Sequence, residues 1–351
     1  MSGIHQFVPM LHRGDAVGRH TVHLRDLMVA RGILSRIYVE MTDPGTAAET
    51  QPVAAYPDQS AAGDVLLYQF ATASDMAPWL LSRPETLVVN YHNLTPPEFY
   101  APWDNGLARH QLRARAELAS LAPRASMGIA MSSFNESELR AAGFGATAVV
   151  PPAAMLPTGS TARSGTAGVR QGAQWISVGR LAPNKALQHA VMALLVARTH
   201  HDPEATLEIV GRCVVPSYTG ALRRFVDEMG LHHAVTFRGQ LGDDALVQAM
   251  AGADVMVVTS AHEGFGVPVV EAMAMGLPVV ANAAGALPEV LGPGGVLVDT
   301  TDPWALAEAT AAVLADPVRR AALAAGAHAR LSALDLATAG DRAIDLVRQV
   351  C

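Results

Sequence analysis

The chain has 351 residues, half of them hydrophobic, and a formal net charge of −7 at pH 7. This length favours two domains, and the acidic balance argues against nucleic acid as the main partner. The amino terminus is polar, no apolar run reaches the ~20 residues needed to span a bilayer, and two cysteines are too few for a disulfide framework. We therefore expect a cytoplasmic protein.

Short β-branched segments alternate with longer amphipathic segments, which is typical of two doubly wound parallel sheets. The strands predicted in the first half are residues 4–8, 36–39, 65–70, 86–91, 126–131 and 148–151, and the helices are 16–30, 107–121 and 135–142. Residues 41–63 contain three prolines and many small side chains. That composition predicts a long mobile loop.

Two positions in the first half follow predicted strands and suit a ligand. Gly14 and Asp15 lie between the first strand and the first helix, where a glycine lets a phosphate or sugar approach the backbone. Asp15 would bind an acceptor hydroxyl or, as the favoured interpretation, cap the helix. His92 follows the strand 86–91 and precedes a proline pair. It would reach into a cleft or satisfy carbonyls of the turn.

Other basic side chains of the chain have no clear ligand pattern. A helical cluster in the first half could present positive charge to an anionic lipid or acceptor, but a solvated helix face is favoured, so peripheral membrane contact is not indicated. Seven further histidines lack ligand spacing, and for these we expect surface or capping roles and no metal site. The cluster comprises Arg109, His110, Arg113 and Arg115, and the histidines are His12, His20, His23, His200, His201, His232 and His233.

The second half begins after residues 157–173, whose small polar side chains predict a linker between domains 1–156 and 174–335. The predicted strands are 175–178, 206–210, 235–238, 254–258, 279–281 and 295–298, and helices 303–315 and 318–333 close the domain. Residues 336–351 form a tail with helical apolar spacing.

Lys185 is the only lysine of the chain and lies in the segment GRLAPNK, residues 179–185. Gly179, Arg180 and Lys185 would therefore lie at the carboxyl end of a predicted strand, where open α/β sheets bind ligands. A lysine ammonium and an arginine guanidinium together could neutralise a diphosphate without a metal ion. The alternative is that Lys185 is a solvated residue at a helix start.

The segment AHEGFGVPVVEA, residues 261–272, places Glu263 and Glu271 on either side of a glycine-rich loop that opens a helix. Pro268 suits the first helical position, because its missing N–H costs nothing there. Free N–H groups at a helix start, with Gly264 and Gly266 permitting close approach, form an anion site. Phosphate donors beside carboxylate acceptors for hydroxyl groups indicate a sugar nucleotide as the ligand.

Together these two segments resemble the retaining GT-B glycosyltransferases of family four (glycosyl transferases group 1), which carry a Gly-Arg-x4-Lys segment and a Glu-x7-Glu loop. The resemblance is strong over residues 175–300 and weak elsewhere. It implies an α/β fold of the GT-B type, with two doubly wound Rossmann-like parallel-sheet domains and an interdomain cleft. It also implies that the helix 336–351 crosses back to the N-terminal, acceptor-side domain. Gly14-Asp15 departs from the Gly-Gly pair common in such enzymes.

The same resemblance implies a retaining, metal-independent hexosyltransferase without cofactor. It would move a sugar from a nucleotide-diphosphate donor, with UDP, GDP or similar, to an acceptor hydroxyl of a natural product or glycan. The expected catalytic residues are Arg180, Lys185, Glu263 and His92. The expected donor-binding residues are Gly14, Asp15, Gly179, Arg238, Gly239, Gly264, Phe265, Gly266, Val267 and Glu271.

Within that set, Glu271 would accept hydrogen bonds from the ribose, and the backbone near Arg238 and Gly239 would contact the base. Glu263 would hold hydroxyls of the donor sugar, and His92 would contact that sugar near the reacting carbon. Two alternatives stay open: another GT-B enzyme, such as a sugar-nucleotide epimerase or glycoside phosphorylase, and a catalytically silent nucleotide-binding partner of a transferase. The sequence leaves the base, sugar, acceptor and oligomeric state undetermined.

Overall fold

The computed structural model describes residues 3–12, 14–152 and 172–350. These residues form two compact units. The first unit contains residues 3–98, 105–152 and 335–350, and the second contains 99–104 and 172–334. The predicted linker 157–173 lies outside the described residues except for its last two positions.

The first unit is built on a parallel sheet of seven strands: β1 Ile4–Met10, β2 Ile37–Met41, β3 Thr50–Pro52, β4 Val65–Phe70, β5 Thr86–Tyr91, β6 Met127–Ala130 and β7 Thr147–Val149. Their order across the sheet is β3-β2-β1-β4-β5-β6-β7. The chain moves outward from β1 to β3 and then returns to the other side of β1 at β4. The predicted doubly wound parallel sheet is confirmed.

The helices that lie between these strands in the chain are α1 Ala16–Ala30, α2 Met76–Leu81, α3 Pro97–Tyr100, α4 Asn105–Leu121 and α5 Ser133–Ala141. The last two residues of α3 belong to the second unit. One face of the sheet buries a cluster of aromatic and aliphatic side chains that includes Phe7, Tyr68 and Leu118. The apolar runs in the strands are therefore explained by burial on both faces of the sheet.

The prediction of a mobile loop over residues 41–63 is wrong. This stretch contains the edge strand β3 and two short 3₁₀ turns, and the ring of Tyr56 is completely buried. Tyr56 packs edge-on against Phe7 and Tyr38, each with a centroid distance of 5.2 Å. A single buried aromatic ring thus holds down a segment whose small residues and prolines resembled a loop.

The second unit is built on a parallel sheet of six strands: β8 Gln174–Val178, β9 Thr206–Val210, β10 Val235–Gly239, β11 Val255–Val258, β12 Val279–Asn282 and β13 Val296–Val298. Their order is β10-β9-β8-β11-β12-β13. Its helices are α6 Leu187–His200, α7 Pro216–Glu228, α8 Asp243–Gly252, α9 Val267–Ala274, α10 Leu287–Leu291, α11 Pro303–Ala315 and α12 Pro317–Leu334. This sheet reverses between β8 and β11 as the first does between β1 and β4.

Residues 99–104 pack within the second unit, although the sequence placed them in the first domain. The Trp103 ring meets the Tyr218 ring edge-on at 5.2 Å, and the Ser217 hydroxyl donates to the Trp103 carbonyl at 2.9 Å. Tyr218 in turn accepts a hydrogen bond from the Leu187 N–H at the start of α6. This short segment is therefore tied to the helix that follows Lys185.

The C-terminal helix, α13 Leu336–Gln349, belongs to the first unit. Ala343, Ile344 and Val347 are buried in a cluster with side chains of α1 and the central strands. On the surface, Arg31, which follows the last residue of α1, forms ion pairs with two aspartates of α13 at 2.7 and 2.9 Å. The apolar stripe seen in the tail is thus the packing face of a helix that covers the sheet holding the N-terminus.

Ile344→Ala should lower the free energy of unfolding of the first unit by about 2–5 kcal/mol, because the side chain is 2% exposed and its removal leaves a cavity. Urea unfolding followed by circular dichroism measures this loss. Arg348→Ala, an exposed position of the same helix, is the matched control and should change stability by less than about 0.5 kcal/mol. Equal effects of the two substitutions would contradict the packing of α13 described above.

Candidate functional site

The candidate site of the second unit lies where its strand order reverses. β8 and β11 are neighbours in the sheet, and the chain leaves them toward opposite sides. In open parallel sheets this reversal opens a crevice at the carboxyl ends of the strands, which is where ligands bind. The two motif segments follow β8 and β11 directly. The fold therefore brings together segments that are about 80 residues apart in the sequence.

Three hydrogen bonds join the two loops. The Ala261 N–H donates to the Asn184 carbonyl at 2.8 Å. The Asn184 side-chain amide donates to the His262 carbonyl at 3.2 Å, and the Thr259 hydroxyl donates to the Lys185 carbonyl at 2.8 Å. Because these bonds are made by Asn184 and by the carbonyl of Lys185 itself, the backbone at the lysine is held against the loop that carries the first glutamate.

Lys185 and Glu263 form an ion pair with 2.5 Å between Nζ and Oε2. The side chains are 17% and 15% exposed, so the pair is partly screened from water yet open at one side. Burial alone would raise the pKa of Glu263. The charge and hydrogen bond of Lys185, with smaller contributions from Ser260 and Arg180, outweigh that effect and hold the pKa below its usual value. Glu263 is therefore an anion at neutral pH.

The start of α9 lies beside this pair. Gly266 caps the helix with φ +91°, a left-handed conformation that glycine adopts without penalty. Pro268 is the second residue of the helix and not the first, as the sequence had predicted. The N–H groups of Gly266 and Val267 lie at the start of α9, where N–H groups have no acceptor within the helix. Phe265 before them and Glu271 within α9 are 6% and 5% exposed.

Gly285 allows the loop after β12 to pack against the backbone of Glu263. The N–H of the following Ala286 donates to the Glu263 carbonyl at 2.9 Å. A Cβ on Gly285, whose φ is +57°, would lie 2.2 Å from that carbonyl oxygen. Gly285 lies outside both motif segments, and only the packing of the loop after β12 reveals its role.

The loop after β8 also requires close backbone approach. A Cβ on Gly211, at the end of β9, would lie 1.8 Å from the Gly179 carbonyl oxygen. The Gly211 N–H donates to the Gly239 carbonyl at 2.8 Å. Arg238 is bound by Glu208 on the neighbouring strand at 3.0 Å, whereas Arg180 is exposed. Gly179, Gly211 and Gly239, at the carboxyl ends of β8, β9 and β10, thus lie along one continuous edge of the sheet.

In the first unit, Asp15 caps α1. Its carboxylate accepts a hydrogen bond from the Gly18 N–H at 2.7 Å, which is the role favoured for aspartate at this position. A Cβ on Gly18 would lie 1.7 Å from the His12 carbonyl oxygen. The loop containing the exposed Gly14 is therefore folded tightly against the first turn of α1.

His92 follows β5, as predicted, and its Nε2 lies 2.6 Å from Oε1 of Gln69. Its ring packs edge-on against His20 at 5.2 Å. Burial and the neighbouring His20 lower the pKa of His92 well below its usual value. The expectation that His20 is a surface or capping residue is wrong: it is 3% exposed, and burial lowers its pKa to about 3. Both rings are neutral at pH 7.

The basic cluster of α4 is largely engaged within the fold. Arg113 pairs with Asp75 at 2.5 Å and with Glu117 at 2.6 Å. Arg115 donates to the Leu94 carbonyl at 2.9 Å, and the His110 ring lies 2.7 Å from the Thr72 hydroxyl. Three of the four basic side chains of this cluster thus make contacts within the first unit.

The predicted residues thus fall into two sets. The first set, Gly14, Asp15 and His92, lies in the first unit, and the larger set, from Gly179 to Glu271, lies in the second. Within the described ranges, no group of three or more histidine, cysteine, aspartate or glutamate side chains could hold a metal ion. The helices placed in these ranges are all too short or too polar to cross a bilayer.

Comparison with known proteins adds two findings. Residues 173–316 match the family described as glycosyl transferases group 1. An MMP α-(1→4)-mannosyltransferase from Mycolicibacterium hassiacum is 37% identical over 92 residues, which are 26% of this chain and 21% of that protein. The chain matches between a fifth and a quarter of the length of its curated relatives.

Likeness to solved structures extends over nearly the whole of both chains. HepE of Anabaena, crystallised with UDP-glucose, superposes with a TM-score of 0.77 at 21% identity and covers 98% of this chain and 99% of its own. Sucrose-phosphate synthase from Thermosynechococcus elongatus has a TM-score of 0.77 at 21% identity, with 99% of each chain covered. At this identity the likeness concerns the fold.

The lowered pKa of Glu263 predicts a pH-dependent stability. Glu263→Gln should reduce the free energy of unfolding at pH 7 by about 1.5–3 kcal/mol, the range for a charge-assisted hydrogen bond. The ion pair contributes in full above the usual glutamate value of 4.5 and is lost as the pH falls toward the lower folded-state pKa. Urea unfolding at pH 7 and pH 4 should therefore show the gap between wild type and variant closing at the lower pH.

The control is Glu204→Gln, an exposed position of the same unit, which should leave a small and constant difference from wild type. A Glu263→Gln gap that stays constant or widens as the pH falls would mean that Glu263 does not draw stability from its ionised form.

Proposed function

We propose that this chain, which has the GT-B fold and whose residues 173–316 match the family described as glycosyl transferases group 1, is a glycosyltransferase. It would move a sugar from a nucleoside-diphosphate donor to an acceptor hydroxyl. The observation that carries the proposal is the Lys185–Glu263 pair, 2.5 Å apart at the carboxyl ends of β8 and β11, beside the N-terminus of α9. It places a cation, an anion and free N–H groups at one edge, which suits a ligand with phosphates and hydroxyls.

The diphosphate would lie against the cations and the helix start. A lysine ammonium carries three donors, so the ion pair with Glu263 leaves donors of Lys185 for a phosphate oxygen. The exposed guanidinium of Arg180 and the N–H groups of Gly266 and Val267 would complete the charge stabilisation. Because these groups are held in place before the reaction, they can stabilise the charge that develops as the diphosphate leaves.

The carboxylates would bind the hydroxyl groups of the donor. Glu263 has a second oxygen besides the one bound to Lys185, and this oxygen would accept from the donor sugar, with the backbone of Gly264 and Phe265 nearby. Glu271 would accept from the ribose. The backbone at Gly239 would contact the base, and in the first unit Gly14, Asp15 and His92 would serve the sugar and acceptor.

Transfer would proceed with retention and without a metal ion or other cofactor. The bond between the anomeric carbon and the phosphate oxygen breaks, and the acceptor oxygen bonds to the same face of that carbon. The acceptor proton passes to the departing phosphate oxygen, so no side chain is needed as general base. Lys185 and Arg180 supply the positive charge that a divalent ion would otherwise supply.

The donor would be a UDP- or GDP-linked sugar or a similar compound, and the acceptor a hydroxyl of a natural product or glycan. HepE was crystallised with UDP-glucose, and a matched relative is named as a mannosyltransferase. Both support a hexose donor for this chain.

Lys185→Met tests the proposal most directly. A thermal-shift screen of UDP-glucose, GDP-mannose and ADP-glucose should find at least one that raises the melting temperature of the wild type, because a ligand bound to the folded state stabilises it. With that donor and a panel of hydroxyl acceptors in EDTA, release of nucleoside diphosphate should be about 10²–10³-fold slower in the variant. Arg319→Met, an exposed cation of the same unit, is the control and should match the wild type.

The outcomes separate the alternatives. An epimerase would convert the donor with no acceptor present, and a phosphorylase would require free phosphate. A silent partner would bind the donor but release no diphosphate with any acceptor. Normal turnover by a folded Lys185→Met variant would refute the diphosphate role, and NMR of the new anomeric linkage would refute retention if it differed from that of the donor.

Glu271→Ala tests the ribose contact in a cycle of four titrations. Wild type and variant are titrated by calorimetry with the nucleoside diphosphate of the selected donor and with its 2′,3′-dideoxy analogue. Loss of a charge-assisted hydrogen bond should weaken binding of the normal nucleotide by about 10–100-fold in the variant. The variant should then bind both nucleotides alike. If the variant still preferred the normal ribose by the wild-type factor, Glu271 would not be its partner.

A further inference from the structure

A chain of polar side chains crosses the centre of the first sheet beneath His92. Gln6 on β1, Gln69 on β4 and Asn90 on β5 lie on three neighbouring strands and are at most 1% exposed. Burying polar groups is unfavourable unless hydrogen bonds compensate, and the centre of a parallel sheet is normally apolar. These three residues, called the polar relay below, therefore need an explanation beyond the packing of the sheet.

The direction of every hydrogen bond in the polar relay follows from one backbone atom. The Thr21 carbonyl of α1 can only accept, so the Gln6 atom 2.8 Å from it is the amide nitrogen. Gln6 Oε1 then accepts from Gln69 Nε2 at 2.7 Å. Gln69 Oε1 is left facing His92 Nε2 at 2.6 Å. Because an amide oxygen cannot donate, His92 must carry its proton on Nε2.

Asn90 closes the polar relay from the other side. Its amide nitrogen donates to Gln69 Oε1 at 2.9 Å and to His20 Nε2 at 2.9 Å. This orientation leaves Oδ1 of Asn90 buried without a hydrogen-bond partner among the described residues. Such an atom costs about 1–3 kcal/mol. Turning the amide would instead leave its nitrogen without a partner and would place two acceptors, Asn90 Oδ1 and Gln69 Oε1, against each other.

We propose that the relay through Gln6 and Gln69 holds His92 as the neutral Nε2–H tautomer, so that its Nδ1 accepts a hydrogen bond from a hydroxyl of the sugar substrate. The inference rests on the proposed function for the identity of that hydroxyl, but not for the tautomer. Gln6, Gln69 and Asn90 are then positioning residues. Toward the sugar, His92 is then a fixed acceptor, since its one N–H is donated to Gln69.

The alternative to a positioning role is a purely structural relay, which would need no particular tautomer at His92. For a purely structural role, a hydrogen bond donated by His20, or a single buried glutamine, could satisfy the buried polar atoms equally well. The polar relay instead ends at a ring that is only partly buried, at the carboxyl end of β5. At that end, the direction of the hydrogen bonds determines whether the His92 ring offers a ligand a donor or an acceptor.

The test reads the tautomer directly. ¹⁵N-histidine-labelled wild type at pH 7 should give His92 signals with a protonated Nε2 and an unprotonated Nδ1, assigned by their loss in His92→Asn. In Gln69→Met the two tautomers should mix. Gln111→Met, another buried glutamine of the same unit, is the control and should leave the His92 signals unchanged. Gln6→Met is the second variant should Gln69→Met fail to fold.

The function of the tautomer is tested by adding UDP-glucose or GDP-mannose, and separately UDP or GDP, to the labelled wild type. The Nδ1 signal of His92 should move with the sugar nucleotide and not with the nucleoside diphosphate alone. For transfer from the donor that binds, kcat/KM should fall on the order of ten-fold in Gln69→Met, the value of one hydrogen bond, and less than two-fold in Gln111→Met.

An Nδ1–H tautomer in the wild type, or signals unaffected by Gln69→Met, would overturn the positioning role. So would a sugar nucleotide that binds without moving Nδ1. If no nucleotide binds at all, the proposed function fails, and the tautomer of the unliganded protein still decides whether the polar relay holds His92 as argued.

Discussion

The reversal of strand order between β8 and β11 is the constraint on which the candidate site depends. It leaves a gap at the carboxyl edge of the sheet, and the loops leaving the two strands close on it from both sides. The Lys185–Glu263 ion pair spans these loops, and three hydrogen bonds beside it hold the backbones together. The sheet topology therefore determines where the opposite charges meet, and the loops adjust only their exact positions.

The first unit has the same reversal, between β1 and β4, but the polar side chains there are of a different kind. There three central strands each carry a buried amide side chain, and the hydrogen bonds through Gln69 and Gln6 are all donated in the direction from His92 toward the Thr21 carbonyl. The candidate site of the second unit thus contains opposite charges, whereas the polar relay of the first unit contains neutral dipoles. A neutral histidine is suited to a hydroxyl, whereas the charged edge is suited to a phosphate.

Much of this could be predicted because local patterns determine it. Apolar runs marked the strands, and the spacing of Glu263 and Glu271 around a glycine-rich loop marked the start of α9. Contacts between distant segments could not be read in the same way. The burial of Tyr56 and His20, and the support of the Glu263 loop by Gly285, depend on which strands become neighbours. No periodicity in the sequence carries that information.

The exchange of short segments between the units has a consequence for dissecting the protein. The second unit includes residues 99–104, and the first includes α13. Cutting the chain once between its halves would yield two incomplete pieces, one missing the tryptophan that covers Tyr218 and the other missing a wall of its core. Each half would expose apolar surface, so the halves should be studied together, or with the exchanged segments grafted back.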